Sequence, residues 1–185
     1  MGKVIYSMTV SLDGYIAGPG GDIGWSAPDE ELFRFHTERV RALGAHLCGR
    51  RLYETMLYWE TAHEDPALPG DQLEFARIWQ ALPKVVFSRT LDTVTGHARL
   101  ARDGLAEELS ALKREHDADL EIGGAALAGE LMRLGLVDEY RAFISPVVLG
   151  GGTPFLPSLE QPIALQLVET RTFGSRVVYA RYRRA

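Results

Sequence analysis

A glycine pair, a glycine triplet and three arginines are the residues of this chain whose types and spacing suggest chemistry. Gly123-Gly124 stands between the short apolar run 120–122 and a stretch in which Leu127, Leu131 and Leu134 recur at helical spacing before Gly135. A strand that ends in paired glycines and opens a helix lets a ligand approach the backbone, and the unpaired N–H groups of the helix N-terminus favour an anion. The pair also suits a bare strand-to-helix turn, and both readings stand at this point. Gly49, Arg50 and Arg51 follow a second strand-like run, 45–48, and Ser88 and Arg89 follow a third, 84–87. Ligands of open α/β sheets bind at the carboxyl ends of the strands. Guanidinium forks, a hydroxyl and free backbone N–H groups at three strand ends therefore point to a polyphosphate, which a dinucleotide would supply. Asp13-Gly14 ends a fourth run, 4–10, and Gly150-Gly151-Gly152 ends a fifth, 139–148.

The elements that must position these residues follow from periodicity. Residues 4–10 read as a buried strand, with a short strand at 15–17 after the turn at Asp13-Gly14. Residues 18–24 form a flexible loop closed by Trp25. Pro28 and Asp29 start a helix whose acids Asp29, Glu30 and Glu31 complement the dipole, with Leu32, Phe35, Val40 and Leu43 on its apolar face and Gly44 as its stop. Helices are expected at 52–57, around 75–82 and at 105–112, and a terminal hairpin pairs 164–170 with 176–183 across Phe173-Gly174-Ser175. The alternation predicts one α/β domain over 1–185: three layers, α/β/α, about a mainly parallel mixed sheet with a C-terminal antiparallel hairpin.

Composition narrows the function classes. The 185 residues are 46% hydrophobic and 24% charged, as in ordinary globular proteins, and a net charge of −5 implies no general affinity for nucleic acid. One cysteine excludes an intrachain disulfide and a cysteine-based metal site, and fits a reducing, cytoplasmic setting. No apolar run is long enough for a membrane span, and no secretory leader or metal site is expected. The run 18–24 fails the G-x-G-x-x-G pattern because Ile23 holds the third glycine position, which argues against a Rossmann-type dehydrogenase. His46 and Cys48 share a strand face, but with no third orienting group in view a buried hydrophobe is the expected role of Cys48. His63-Glu64-Asp65 lacks metal-ligand spacing and reads as solvated charge. Trp59, Phe75 and Trp79 read as core or interface.

Six segments, 7–17 (SMTVSLDGYIA), Trp25 with Pro28-Asp29, 47–55 (LCGRRLYET), 86–89 (VFSR), 122–125 (IGGA) and 136–155 (LVDEY to SPVVLGGGTPF), occur in one order over nearly the whole chain. In that order the chain resembles the dihydrofolate reductase fold and, within it, the C-terminal reductase domain of the bifunctional riboflavin-biosynthesis deaminase-reductase. The 185 residues carry none of the zinc-ligand motifs of that enzyme's deaminase half. The resemblance implies hydride transfer from NADPH to a C=O or C=N group of a pterin-, pyrimidine- or phosphoribosylaminopyrimidine-like substrate. It implies that Thr9, Ile16 and Ala17 line the nicotinamide, that Gly49, Arg50, Arg51, Leu52, Ser88 and Arg89 hold the adenosine end and its 2′-phosphate, and that Gly123, Gly124, Ala125 and Leu127 cradle the pyrophosphate. Asp29 aligns with the active-site acid of the folate reductases, four residues before Phe33, whereas the spacing from Trp25 picks Glu30. Asp29 as a first-turn acid serving the helix dipole is the other reading. Asp13, Trp25, Glu30 and Phe33 are the expected substrate contacts, and the N–H groups of Gly150 to Gly152 are a candidate phosphate subsite. The resemblance further implies a homodimer. A non-catalytic nucleotide- or pterin-binding dimer of the same fold is the alternative.

Overall fold

The computed structural model describes residues 2–185. In chain order its elements are β1 (Val4–Ser11), β2 (Tyr15–Ala17), α1 (Glu30–Arg41), β3 (Leu43–Gly49), α2 (Arg50–Met56), α3 (Tyr58–Thr61), α4 (Gly70–Ala81), β4 (Lys84–Phe87), β5 (Ala98–Leu100), α5 (Leu105–Glu115), β6 (Asp119–Gly123), α6 (Ala125–Arg133), β7 (Glu139–Ser145), β8 (Thr153–Pro154), β9 (Leu165–Thr172) and β10 (Val178–Arg184). Eight strands form one sheet in the order β5-β4-β3-β6-β1-β7-β10-β9. The pairs from β5 to β7 are parallel, and β10 runs antiparallel to both β7 and β9. The expected α/β sheet with a terminal hairpin is thus present.

Alternation along the strands sorts the helices onto two faces. Val4, Tyr6, Leu47, Leu120 and Ile122 pack with Leu109 and Leu112 of α5 and Leu127 and Leu131 of α6. On the other face Cys48 and Val86 meet Phe75 and Trp79 of α4, while Phe143 and Tyr179 meet Leu32 of α1. The chain steps outward from β1 through β3 and β4 and returns through β6 to β7. Right-handed crossovers in opposite directions put α1 and α4 on one face and α5 and α6 on the other.

Several boundaries differ from the sequence reading, each for a local reason. Helix α1 stops at Arg41, and Leu43 and Gly44 already belong to β3. Gly44 does not stop a helix. A Cβ there would meet the His116 Cβ at 2.8 Å, so packing against the end of α5 excludes a side chain. Strand β7 ends at Ser145, because Pro146 has no N–H to continue the ladder. The three-residue edge strand β5 and the two-residue β8, which pairs with β2, were not legible. Lys84 is buried: its Nζ caps α4 by donating to the carbonyls of Trp79 at 2.6 Å and Leu82 at 3.0 Å. Among the described residues no helix is long and apolar enough to cross a membrane.

Candidate functional site

The register places the glycine and arginine segments side by side. Gly49 pairs with Phe87, which precedes Ser88, and Cys48 pairs with Gly123. Strand β1 pairs with β6 only as far as Tyr6, then continues to Ser11 against β7 alone. Beyond Gly123 the chain leaves the sheet to start α6, so Ser7 to Ser11 have no strand neighbour on the β6 side, and Thr9 borders that gap. A ligand laid along this edge would meet the ends of β4, β3, β6 and β1 in turn.

The turn at the centre of the edge admits only glycine. A Cβ on Gly123 would fall 1.8 Å from Leu52 Cδ2 and 2.8 Å from His46 Cε1. Gly124 has φ of 107°, the left-handed region, and its built Cβ would touch the Gly49 backbone at 3.7 Å. Gly124 is the N-cap of α6 and offers no side chain, and Ala128 is the first residue whose N–H bonds back, to the Gly124 carbonyl at 3.0 Å. The N–H groups of Ala125, Ala126 and Leu127 therefore have no intrahelical acceptor. Leu52, itself on α2, covers this turn.

The three arginines divide. Arg50 donates to Glu54 at 2.7 Å and to Thr90 Oγ1 at 2.6 Å, tying the β3–α2 turn to the β4 loop. Arg51 and Arg89 are exposed and hold no ion pair among the described residues. Ser88 Oγ accepts the N–H groups of Thr90 at 3.1 Å and Leu91 at 3.0 Å, so its oxygen serves the turn.

Asp13 takes a role that its expected place among the substrate contacts did not foresee. Its carboxylate accepts the N–H groups of Leu149 (3.1 Å) and Gly150 (2.7 Å) and the Ser11 hydroxyl (2.7 Å). Of the three N–H groups expected as a phosphate subsite, that of Gly150 is therefore already taken by Asp13. The Ser11 hydroxyl and these two amides hold the Asp13 carboxyl below the usual carboxylate range. Ile16 and Ala17 lie on β2, which pairs with β8; a Cβ on Gly152 would fall 2.0 Å from the Ala17 carbonyl oxygen.

A cleft of about 760 Å³ opens beside this edge between the N-termini of α1 and α4. Ala27, Pro28, Asp29, Glu30, Phe33, Tyr58, Trp59, Pro69, Asp71 and Gln72 line it. Asp29 is the N-cap of α1, which starts at Glu30 and not at Pro28-Asp29 as expected, and its carboxylate accepts the Leu32 N–H at 2.8 Å. That N–H, with the Ser175 backbone, holds the Asp29 carboxyl down and keeps it ionised at neutral pH. Glu31 accepts from Arg171 at 2.7 Å and from the Gly174 N–H at 3.1 Å, fastening the β9–β10 turn to α1. Glu30 is exposed and paired with Arg34 at 3.3 Å. The Phe33 ring lies 5.9 Å from Trp59 and 5.4 Å from Phe75. Trp25 does not line the cleft; its indole N–H donates to the Asp22 carbonyl at 3.1 Å in the preceding loop. Tyr58, Trp59, Asp71 and Gln72 were missed as site residues. The aromatic pair Tyr58-Trp59 just before a polar, proline-containing loop was the available signal.

Beneath the cleft, α1 is anchored to the sheet by Arg39, which donates to Glu121 at 2.6 Å and to Ser7 Oγ at 3.0 Å. His46 Nδ1 lies 3.2 Å from Cys48 Sγ, and burial pushes the thiol up to about 12, so it stays protonated and inert. The edge fits a dinucleotide phosphate by its own features: a turn closed to any side chain, an uncapped helix N-terminus, and two exposed arginines that follow the neighbouring strands β3 and β4.

Comparison with known proteins bears on the family and the fold. Residues 2–179 match the model of the RibD C-terminal domain. The uncharacterized protein YyaP of Bacillus subtilis is 34% identical over 181 residues, covering 97% of this chain and 94% of that one. A Shewanella protein provisionally assigned to riboflavin biosynthesis superposes with a TM-score of 0.75 at 22% identity, covering 100% of this chain and 99% of the other. Dihydrofolate reductase from Enterococcus faecalis, solved with NADP(H), superposes with a TM-score of 0.64 at 18% identity over 98% and 96% of the two chains. The chain has the dihydrofolate reductase-like fold and belongs to the RibD C-terminal domain family.

Proposed function

We propose that the protein is an NADPH-dependent reductase acting on a C=N or C=O bond of a small planar heterocycle. The observation that carries this reading is the edge at Gly123-Gly124: a turn closed to side chains and followed by an uncapped helix N-terminus, with Arg51 and Arg89 exposed just beyond the neighbouring strand ends. In this reading Gly123, Gly124, Ala125 and Leu127 receive the pyrophosphate. Gly49, Arg50, Arg51, Leu52, Ser88 and Arg89 surround the adenosine end, where Arg51 and Arg89 meet the 2′-phosphate. Thr9 borders the gap beyond Tyr6, and in this reading Thr9, Ile16 and Ala17 would line the nicotinamide. The cofactor, when bound, supplies the hydride. The substrate ring lies in the neighbouring cleft against Phe33 and Trp59, with the ionised Asp29 carboxylate accepting hydrogen bonds from ring N–H groups. Mixing protein, NADPH and a panel of pterins and aminopyrimidines should consume NADPH, read as lost absorbance. Binding of NADPH with no oxidation by any of them would favour the second reading, a ligand-binding protein without turnover. One observation favours that alternative: Asp29, held ionised by its helix-capping bonds, is a weak proton donor.

A further inference from the structure

We infer that the substrate cleft takes a neutral or cationic planar ring and excludes phosphorylated substrates. This rests on the reading of the cleft as the substrate site and names the substrate class. The walls set the shape: Phe33, Trp59 and Tyr58 line the cleft, with the Phe33 and Trp59 rings 5.9 Å apart, the Tyr58 and Trp59 rings 5.0 Å apart, and Tyr58 54% exposed. An exposed aromatic at the mouth of a cleft of this size offers a stacking surface for a flat ring. The carboxylates set the charge. Asp29, Glu30 and Asp71 all line the cleft, and none of its lining residues is basic. Two helix N-termini also face it, those of α1 and α4, and each contributes about half a positive charge. Three carboxylates against two half charges leave the cleft negative by about two charges, less the screening that Arg34 gives Glu30 from outside. A phosphate of nearly two negative charges would enter against that field and find no guanidinium or ammonium to receive it. A ring amino group or a protonated ring nitrogen would find acceptors instead. The free guanidinium groups, Arg51 and Arg89, sit at the strand ends on the cofactor edge and do not line the cleft.

The test is a fluorescence titration of the full chain saturated with NADPH, with Trp59→Phe as the control that assigns the signal to the cleft. The probes are a ribitylaminopyrimidine with and without its terminal phosphate, and 2,4-diaminopyrimidine. The unphosphorylated ring should bind at least tenfold more tightly than its phosphate ester, and Asp71→Lys should shrink that ratio severalfold. Equal or tighter binding of the phosphate ester overturns the inference, as does a ratio that Asp71→Lys leaves unchanged. Failure of every ring to bind overturns it too. The NADPH titration run first separates these outcomes from failure of the reductase reading, which predicts cofactor binding whatever the ring does.

Discussion

The Gly150 N–H donates to Asp13 Oδ2 at 2.7 Å across 137 positions of sequence, and this bond latches the glycine loop after β7 to the end of β1. Asp13→Asn keeps one oxygen and loses the charge that two amides and a hydroxyl share. Amide exchange at Leu149 and Gly150 should accelerate at least tenfold while the strands of the sheet stay protected. The folded Asp13 carboxyl sits below its unfolded value, so the latch is fully present above about pH 4 and is lost as pH falls through the lowered value. Exchange at these amides that is indifferent to both substitution and acid would contradict the latch.

Leu52 fills the space that any side chain at position 123 would need. Gly123→Ala should destabilise the protein by about 1–3 kcal/mol, the range for overpacking, and weaken NADPH binding at least tenfold by displacing the β3–α2 turn. Leu52→Ala in the same chain removes the 1.8 Å clash and should recover part of both. Chemical denaturation and cofactor titration of the single and double variants measure this coupling.

Asp29 carries two roles that one pair of substitutions separates. Asn is nearly as good an N-cap as Asp, so Asp29→Asn should leave the melting temperature almost unchanged. Turnover should fall about a hundredfold if the carboxylate meets the substrate. Glu30→Gln, on an exposed side chain paired only with Arg34, should change turnover little. The reverse pattern would assign the acid to Glu30.

Glu108 is buried against Arg99 at 2.6 Å and accepts the Arg102 N–H at 2.6 Å, which holds its carboxyl down to about 2. Glu108→Gln should cost about 2 kcal/mol at neutral pH, less than the whole shift because solvent screens Arg99. The folded value lies below the unfolded one. The stabilisation is therefore complete above about pH 5 and fades as pH falls toward 2, and the two proteins should converge in stability over that window. A constant difference across it would show that the carboxylate charge is not the cause.

Strand β9 is exposed along all eight residues, including Leu167 at 58% and Val168 at 42%, and forms one end of the sheet. An open edge with apolar side chains on it is a template for pairing, and we propose that a second copy covers it about a two-fold axis. Light scattering should give twice the 20.5 kDa chain mass at micromolar concentration, and Leu167→Lys should halve it. A 20.5 kDa species alone would overturn the proposal.

The fold was largely legible because the strands that make the sheet are apolar runs ending in turn residues, and the helices between them keep a clean period. The glycine turn at Gly123-Gly124 was legible for the same reason: its constraint is local. What escaped was set by contacts distant in sequence. Asp13 reads as a candidate ligand contact until the loop at Leu149 folds onto it. Gly44 reads as a helix stop until His116 is seen against it. Tyr58, Trp59 and Asp71 also line the cleft, and they flank a stretch whose polar, irregular sequence gives no periodicity to follow. Asp29 was singled out, but whether it would cap the helix or face the cleft depended on one residue of helix phasing, and in the structure it caps α1 and lines the cleft.

The central claim, a phosphate-bearing dinucleotide along the β4-β3-β6 edge, is tested most directly by calorimetric titration with NADPH and NADH side by side. The account predicts NADPH binding at least tenfold tighter than NADH, with the preference lost when Arg51→Ala and Arg89→Ala are combined. Equal affinities for the two cofactors, or no binding of either, would contradict it.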